Sequence, residues 1–241
     1  MPQLSTDETL TRLHQGQNIV LYEQHSADLD TPVMAYLKIK DHYAQSLLYE
    51  SVEKSKGRSR YSIIACDPDI IWRCENSKAT RTKYDVTGQE IKSDLCNDVV
   101  DSLRDLHKDC KVDIPSALPS AASGLFGYFT YDMVRFFEEL PEAKQDNINI
   151  PDAIMWRPRT IIIFDNVYDT IYNVHTLYQD ALTDYDKAYQ DALKHFDHIW
   201  TLLRHPIAAD SLSIARHIDP ITPIAHMEKQ DYMESVSTAI D

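Results

Sequence analysis

Apolar residues recur at helical spacing in several parts of the chain. Leu10 and Leu13 follow the capping-box-like residues 5–8 and precede Gly16, which predicts a short amphipathic helix. A second stripe predicts a helix that Ser93 caps and that ends near residue 108. Residues 227–241 have the periodicity of a helix start and end without a C-cap. The longest helix is predicted over residues 181–205, with a core stripe of Tyr185, Tyr189, Leu193, Phe196, Trp200 and Leu203.

Short apolar or alternating runs between these helices predict β-strands. Asp67 and Asp69 flank Pro68, and we interpret these residues as a turn between two strands. The last two predicted strands flank residues 166–169 and form a hairpin. The order of elements indicates an α+β fold, with an antiparallel sheet or sandwich and flanking helices. The predicted strands are residues 18–22, 33–39, 46–52, 61–64, 70–73, 80–86, 160–165 and 170–177.

One segment, residues 124–141, combines two of the five glycines with a high density of aromatic residues. Gly124 and Gly127 lack Cβ atoms, which suits a backbone that takes a positive φ or approaches another strand closely. The pattern predicts a strand that leads into a short helix, and the aromatic rings predict burial around it. Asp132 and Arg135 are three residues apart and predict an ion pair at the start of that helix.

This segment, GLFGYFTYDMVRFFEELP, resembles a motif in the N-terminal domain of anthranilate synthase component I. Three further blocks resemble the same family in the same order, at residues 27–38, 46–64 and 151–174. The chain departs from the family pattern at Tyr49, where leucine is usual, and at Lys54 and Ser55, which replace paired glycines. Ser59 and Arg60 resemble an insertion before Tyr61.

The resemblance implies two regions. Residues 1–205 correspond to the regulatory, tryptophan-binding N-terminal domain, and residues 206–241 to a linker and the first helix of the chorismate-binding domain. We therefore expect the chain to be truncated before the catalytic domain and to be catalytically inactive by itself.

The resemblance also implies the activity of the full-length subunit. That subunit is a lyase that converts chorismate and ammonia into anthranilate and pyruvate in tryptophan biosynthesis. A glutamine amidotransferase subunit, component II, supplies the ammonia, and L-tryptophan inhibits the reaction. The Mg²⁺ site and the catalytic residues lie in the missing half, so no catalytic residue and no cofactor are expected in this chain.

A ligand site in this chain is implied at the second block. By resemblance, Glu50 and Ser51 line the pocket for L-tryptophan, and the absent domain supplies the rest of it. Leu48 offers apolar surface for the indole ring, and Arg60 offers a charge-assisted contact.

Composition limits the possible partners. The formal net charge of −14 disfavours nucleic acid and anionic membrane surfaces, because both carry negative charge. The four cysteines have no metal-binding spacing, which indicates reduced thiols in a cytoplasmic protein without a metal site. His195 and His198 lie three residues apart on the longest helix and are interpreted as part of a solvated polar face.

Two other functions stay open at the level of sequence. Aminodeoxychorismate synthase component I has a related N-terminal domain, and the residues that separate the two enzymes lie in the missing half. The composition also permits a stand-alone module that binds an amino acid or another protein.

Overall fold

The computed structural model describes residues 5–50, 60–141, 148–207, 224–225 and 227–240. The chain divides into two compact units, Met1–Ile207 and Ala208–Asp241. Most of the predicted linker, residues 206–227, and the polar loop at residues 142–147 lie outside the described residues.

An antiparallel sheet of eight strands forms the centre of the first unit, which confirms the α+β prediction. The strands are β1 Ile19–Ser26, β2 Ser46–Glu50, β3 Tyr61–Glu75, β4 Lys78–Tyr84, β5 Glu90–Leu95, β6 Phe126–Phe129, β7 Ala153–Asp165 and β8 Thr170–Leu177. The main path through the sheet runs β1-β8-β7-β3-β4-β5, with β2 paired to β3 and β6 paired to β7.

The two longest strands, β3 and β7, pair with each other along most of their length and change outer neighbours halfway. The first half of β3 pairs with β2 and its second half with β4. Likewise, the first half of β7 pairs with β6 and its second half with β8. The sheet therefore consists of two five-stranded halves that share β3 and β7.

The change of neighbours coincides with a bend at which Pro68 lies opposite Pro158. Neither proline can donate a ladder hydrogen bond, and the register shifts between Pro68 and Ile70. Asp67 takes a φ of 54° at this point. The prediction of a turn here was wrong: residues 67–69 form a bulge inside one strand, because β7 pairs with β3 on both sides of the bend.

Two ion pairs join the strands at the bend. Arg159 donates from Nε and Nη2 to Asp67, at 3.0 and 2.6 Å. Arg157 donates in the same way to Asp69, at 2.9 and 2.6 Å, and also pairs with Asp180 at 3.0 Å. Burial alone would lower the pKa of both guanidinium groups, but the paired aspartates outweigh it and raise the pKa of each. Both arginines therefore stay charged inside the protein.

Three helices cover one face of the half-sheet that contains β1, β2 and β8: α1 Thr6–His14, α2 Pro32–Ile39 and α4 Tyr185–Arg204. A fourth helix, α3 Val99–Asp109, covers the half-sheet that contains β4, β5 and β6. Ser5 caps α1 by accepting a hydrogen bond from the Glu8 amide, as the sequence predicts. The predicted long helix and hairpin are confirmed in α4 and in β7 with β8.

Two other predictions of secondary structure were wrong. Residues 33–39 are helical because Thr31 accepts a capping hydrogen bond from the Met34 amide and Pro32 occupies the first turn. Ser93 lies inside β5, and the N-cap of α3 is Asp98, which accepts from the Asp101 amide at 2.8 Å.

The glycine-aromatic segment is only partly buried. Gly127 lies in β6 so close to β7 that a Cβ would come within 1.8 Å of the Ile154 carbonyl oxygen. Gly124 has a φ of +137°. The predicted ion pair joins Arg135 Nε to Asp132 at 2.8 Å within a 3₁₀ turn. The expected burial fails for most of these rings: Phe136 is partly buried, whereas Tyr128, Phe129, Tyr131 and Phe137 are exposed.

The second unit contains one helix among its described residues, α5 Lys229–Ile240. The predicted helix start is therefore confirmed. All described residues of α5 are exposed.

We expect Arg157→Met to lower the free energy of unfolding by about 3 to 5 kcal/mol, because the substitution leaves Asp69 charged, buried and unpaired. Urea unfolding followed by tryptophan fluorescence would measure this. The matched control is Arg104→Met, which removes an exposed pair with Asp101 and should leave the unfolding midpoint unchanged. Equal effects of the two substitutions would contradict a structural role for the pair at the bend.

Gly127→Ala should lower the free energy of unfolding by about 2 kcal/mol or more, because the added methyl group overlaps the backbone of β7. Gly88→Asn is the control: Gly88 has open space around it and a φ of +77°, which asparagine tolerates. The same urea experiment would compare them, and wild-type stability of Gly127→Ala would show that β6 does not pair this closely.

Candidate functional site

The end of the β2–β3 hairpin gathers three of the four predicted ligand-binding residues. Glu50 is the last residue of β2 and lies opposite Ser62, while Leu48 lies opposite Ile64. Arg60 directly precedes β3. Ser51 belongs to residues 51–59, which lie outside the described residues. The predicted tryptophan site therefore consists, among the described residues, of Leu48, Glu50 and Arg60.

Arg60 is fixed by the hairpin that joins β7 to β8. Its Nε and Nη2 donate to Asp165, with the shortest contact at 2.9 Å. Its guanidinium group also lies over the rings of Tyr61 and Tyr168, at 4.8 and 5.2 Å from their centroids. The Arg60 carbonyl accepts a hydrogen bond from the Asn166 amide at 2.7 Å. These contacts hold an exposed cation in one orientation, as a cation that recognises a ligand requires.

Asp165 is the buried carboxylate that holds Arg60 in place. Burial alone would raise the pKa of its carboxyl group, but the Arg60 hydrogen bonds and the amides of Val167 and Tyr168 hold the pKa below its ordinary value. The carboxylate therefore stays charged at neutral pH and keeps Arg60 in place.

Side chains of β2 contact other parts of the fold on both faces of the sheet. Leu48 packs against the core cluster that α2 and α4 cover. On the other face, the Tyr49 ring stacks on Phe126, with centroids 6.1 Å apart. The Tyr49 hydroxyl donates to the Gly127 carbonyl oxygen at 2.6 Å. A ligand at the end of β2 would therefore lie one residue from the contact with the glycine-aromatic segment.

The histidines of α4 do not form the solvated face that the sequence predicts. His195 is half-buried, and its Nε2 lies 2.7 Å from the Thr160 hydroxyl, which also lies 3.2 Å from His175 Nδ1. Burial lowers the pKa of His195 to about 4, so its ring is neutral at neutral pH. His198 is exposed. No group of three metal-ligating side chains occurs among the described residues.

Sequence reasoning missed the complementary tripeptides at the bend. Residues 67–69 read Asp-Pro-Asp and residues 157–159 read Arg-Pro-Arg. The matching spacing of the two tripeptides could have predicted that these strands pair, because opposite charges on either side of facing prolines match in an antiparallel register.

No helix in the described part of the chain is long and apolar enough to cross a membrane.

No family model matches the chain. Two curated relatives are named anthranilate synthase component 1. The protein from Cereibacter sphaeroides is 35% identical over 63% of this chain and 30% of its own length. The protein from Acinetobacter calcoaceticus is 35% identical over 92% of this chain and 44% of its own length.

Among solved structures, anthranilate synthase component I from Streptococcus pneumoniae has a TM-score of 0.53 at 22% identity. It covers 90% of this chain, and this chain covers 44% of it, so the two share a fold. The chain spans less than half the length of the relatives that it matches. On its sequence similarity to these relatives, the chain belongs to the anthranilate synthase component I family.

Proposed function

We propose that the chain is the regulatory, L-tryptophan-binding part of an anthranilate synthase component I subunit. The observation that supports this best is the end of the β2–β3 hairpin. There an exposed carboxylate, Glu50, and a fixed guanidinium group, Arg60, flank the segment that carries Ser51. An amino acid needs an anion for its ammonium group and a donor for its carboxylate, and this site offers both.

The donor capacity of Arg60 is not exhausted by Asp165. Nε and Nη2 hold Asp165, whereas Nη1 makes no hydrogen bond to another described residue. The Ser51 hydroxyl would add a second donor for the ligand carboxylate. Leu48 lies on the same face of β2 as Glu50 and offers apolar surface beside these groups.

The full-length subunit, in this proposal, converts chorismate and ammonia into anthranilate and pyruvate. Component II would supply the ammonia from glutamine, and Mg²⁺ would bind outside this chain. Tryptophan inhibits if it binds one arrangement of the full subunit more tightly than the arrangement that turns over chorismate. In this chain, the Tyr49 contacts offer a route by which an occupied site could act on the glycine-aromatic segment.

The first test uses a hybrid subunit in which this chain replaces the matching segment of the Acinetobacter calcoaceticus relative. Anthranilate fluorescence would measure activity while L-tryptophan is titrated. Ser51→Phe should raise the concentration for half-inhibition at least about tenfold, because the ring occupies the ligand's position; this equals about 1.4 kcal/mol of binding energy.

Ser93→Phe is the control for the hybrid, since Ser93 is exposed on β5, away from the β2–β3 hairpin. It should leave inhibition unchanged. Calorimetry with L-tryptophan would provide the same comparison if the hybrid turns over slowly. Unaltered tryptophan affinity in Ser51→Phe would contradict the assigned site.

The second test concerns the 241-residue chain alone. Incubated with chorismate, ammonium and Mg²⁺, it should form no anthranilate above the blank, because the proposal assigns all catalytic residues to the other half. It should bind L-tryptophan only weakly, with a Kd of about 1 mM or more, because half of the pocket is absent. Anthranilate formation by this chain would refute the proposed division of roles.

A further inference from the structure

A cleft of about 530 Å³ lies between α4 and the bend of the sheet, and we name it the α4 cleft. Its volume is typical of sites for small molecules. Its floor includes Asp67 and Arg159 at the bend, its wall includes His195 and His198 of α4, and Tyr43 closes one side. Leu48, Glu50 and Arg60 do not line it, so it is separate from the proposed tryptophan site.

Arg159 gives the floor of the cleft an unused hydrogen-bond donor. Its side chain is 11% exposed. Nε and Nη2 bind Asp67, and Nη2 also donates to the Asp85 carbonyl oxygen at 2.7 Å. Nη1 makes no hydrogen bond to another described residue and carries two N–H groups. A guanidinium nitrogen without a protein acceptor can donate a charge-assisted hydrogen bond to an anion that reaches it.

The carboxylates of the lining are all engaged. Asp67 is held by Arg159, and Asp69 by the buried Arg157. Asp184 caps α4 by accepting from the Lys187 amide at 3.0 Å. Asp191 pairs with two lysines, Lys187 and Lys194. Lys187 and Lys194 thus place two ammonium groups at the mouth of the cleft, where the carboxylates of Asp184 and Asp191 balance their charge.

The uncharged groups of the cleft favour the same class of ligand. Burial raises the pKa of the Tyr43 hydroxyl, so it stays protonated and can donate. It makes no hydrogen bond to another described residue. Tyr43, Arg159 and His195 all line the cleft, so the three side chains surround one space. The neutral His195 ring adds no positive charge at neutral pH, so binding depends on directed N–H and O–H groups.

We propose that the α4 cleft binds a small oxyanion, a carboxylate or a phosphate, which accepts hydrogen bonds from Arg159 Nη1 and from the Tyr43 hydroxyl. Lys187 and Lys194 lie at the mouth of the cleft. The occupant is a small molecule because the walls of α4 and the sheet bound the cleft on both sides.

The test is an NMR titration of the full chain with two probes, malonate and inorganic phosphate, at constant ionic strength set with sodium chloride. We expect saturable shifts at the amides of Arg159, Thr160 and His195, with a Kd of about 1 mM or tighter for at least one probe. The tighter probe identifies the source of the oxyanion as a carboxylate or a phosphate.

Variants of the lining residues distinguish anion binding through directed hydrogen bonds from attraction by charge alone. Arg159→Lys keeps the charge without the planar fork and should weaken binding at least about tenfold. Tyr43→Phe keeps the ring and removes one donor, so it should weaken binding about threefold or more. The control, Arg73→Gln, removes a surface arginine that pairs with Glu75 and should change nothing.

If Arg159→Lys does not fold, Tyr43→Phe decides, because no hydrogen bond depends on that hydroxyl. Saturable shifts that weaken in Tyr43→Phe and persist in Arg73→Gln support the site. The proposal is overturned if neither probe gives saturable shifts up to about 10 mM, if Tyr43→Phe binds as the wild type does, or if the shifts lie outside the α4 cleft.

Discussion

The pairing of β3 with β7 is the constraint on which the rest of the structure depends. Every other strand pairs, directly or through one neighbour, with one of these two. Their facing prolines break the ladder at its centre, where a sheet is most sensitive to lost hydrogen bonds. Two buried Arg–Asp pairs lie at this point, so charge-assisted hydrogen bonds join the strands where the backbone ladder is interrupted.

The first half of β3 also separates the two proposed sites. The first half of β3 begins at the hairpin end that carries Arg60, and its last residues before the prolines supply Asp67 to the α4 cleft. In the same way, β7 supplies Arg159 to the cleft and Asp165 to the Arg60 cluster. Both sites therefore rest on the same two strands, and the charges that stabilise the sheet are the ones that shape the sites.

The sequence predicts the elements whose signals are local. The cap at Ser5, the long apolar stripe of α4 and the hairpin around residues 166–169 depend on neighbouring residues and are confirmed. Two of the failures have non-local causes. Asp67 and Asp69 have turn propensity, yet β7 holds them in a strand, and Ser93 can cap a helix, yet β4 pairs with it. For the site, the sequence brings Glu50 and Arg60 together through the family resemblance, but the aspartate that holds Arg60 lies 105 residues away. The cleft under α4 has no motif, because its lining comes from separate strands, loops and a helix.

Tyr49 shows how a departure from a family pattern can alter communication within a fold. At the position where leucine is usual, this chain has a side chain that both stacks on Phe126 and donates to the Gly127 carbonyl oxygen. A leucine could fill similar space but could not form that hydrogen bond. Gly127, whose missing Cβ lets β6 approach β7, thus also presents its carbonyl group to Tyr49. This one polar contact therefore joins the strand that ends at Glu50 directly to β6, although β2 and β6 are not neighbours in the sheet.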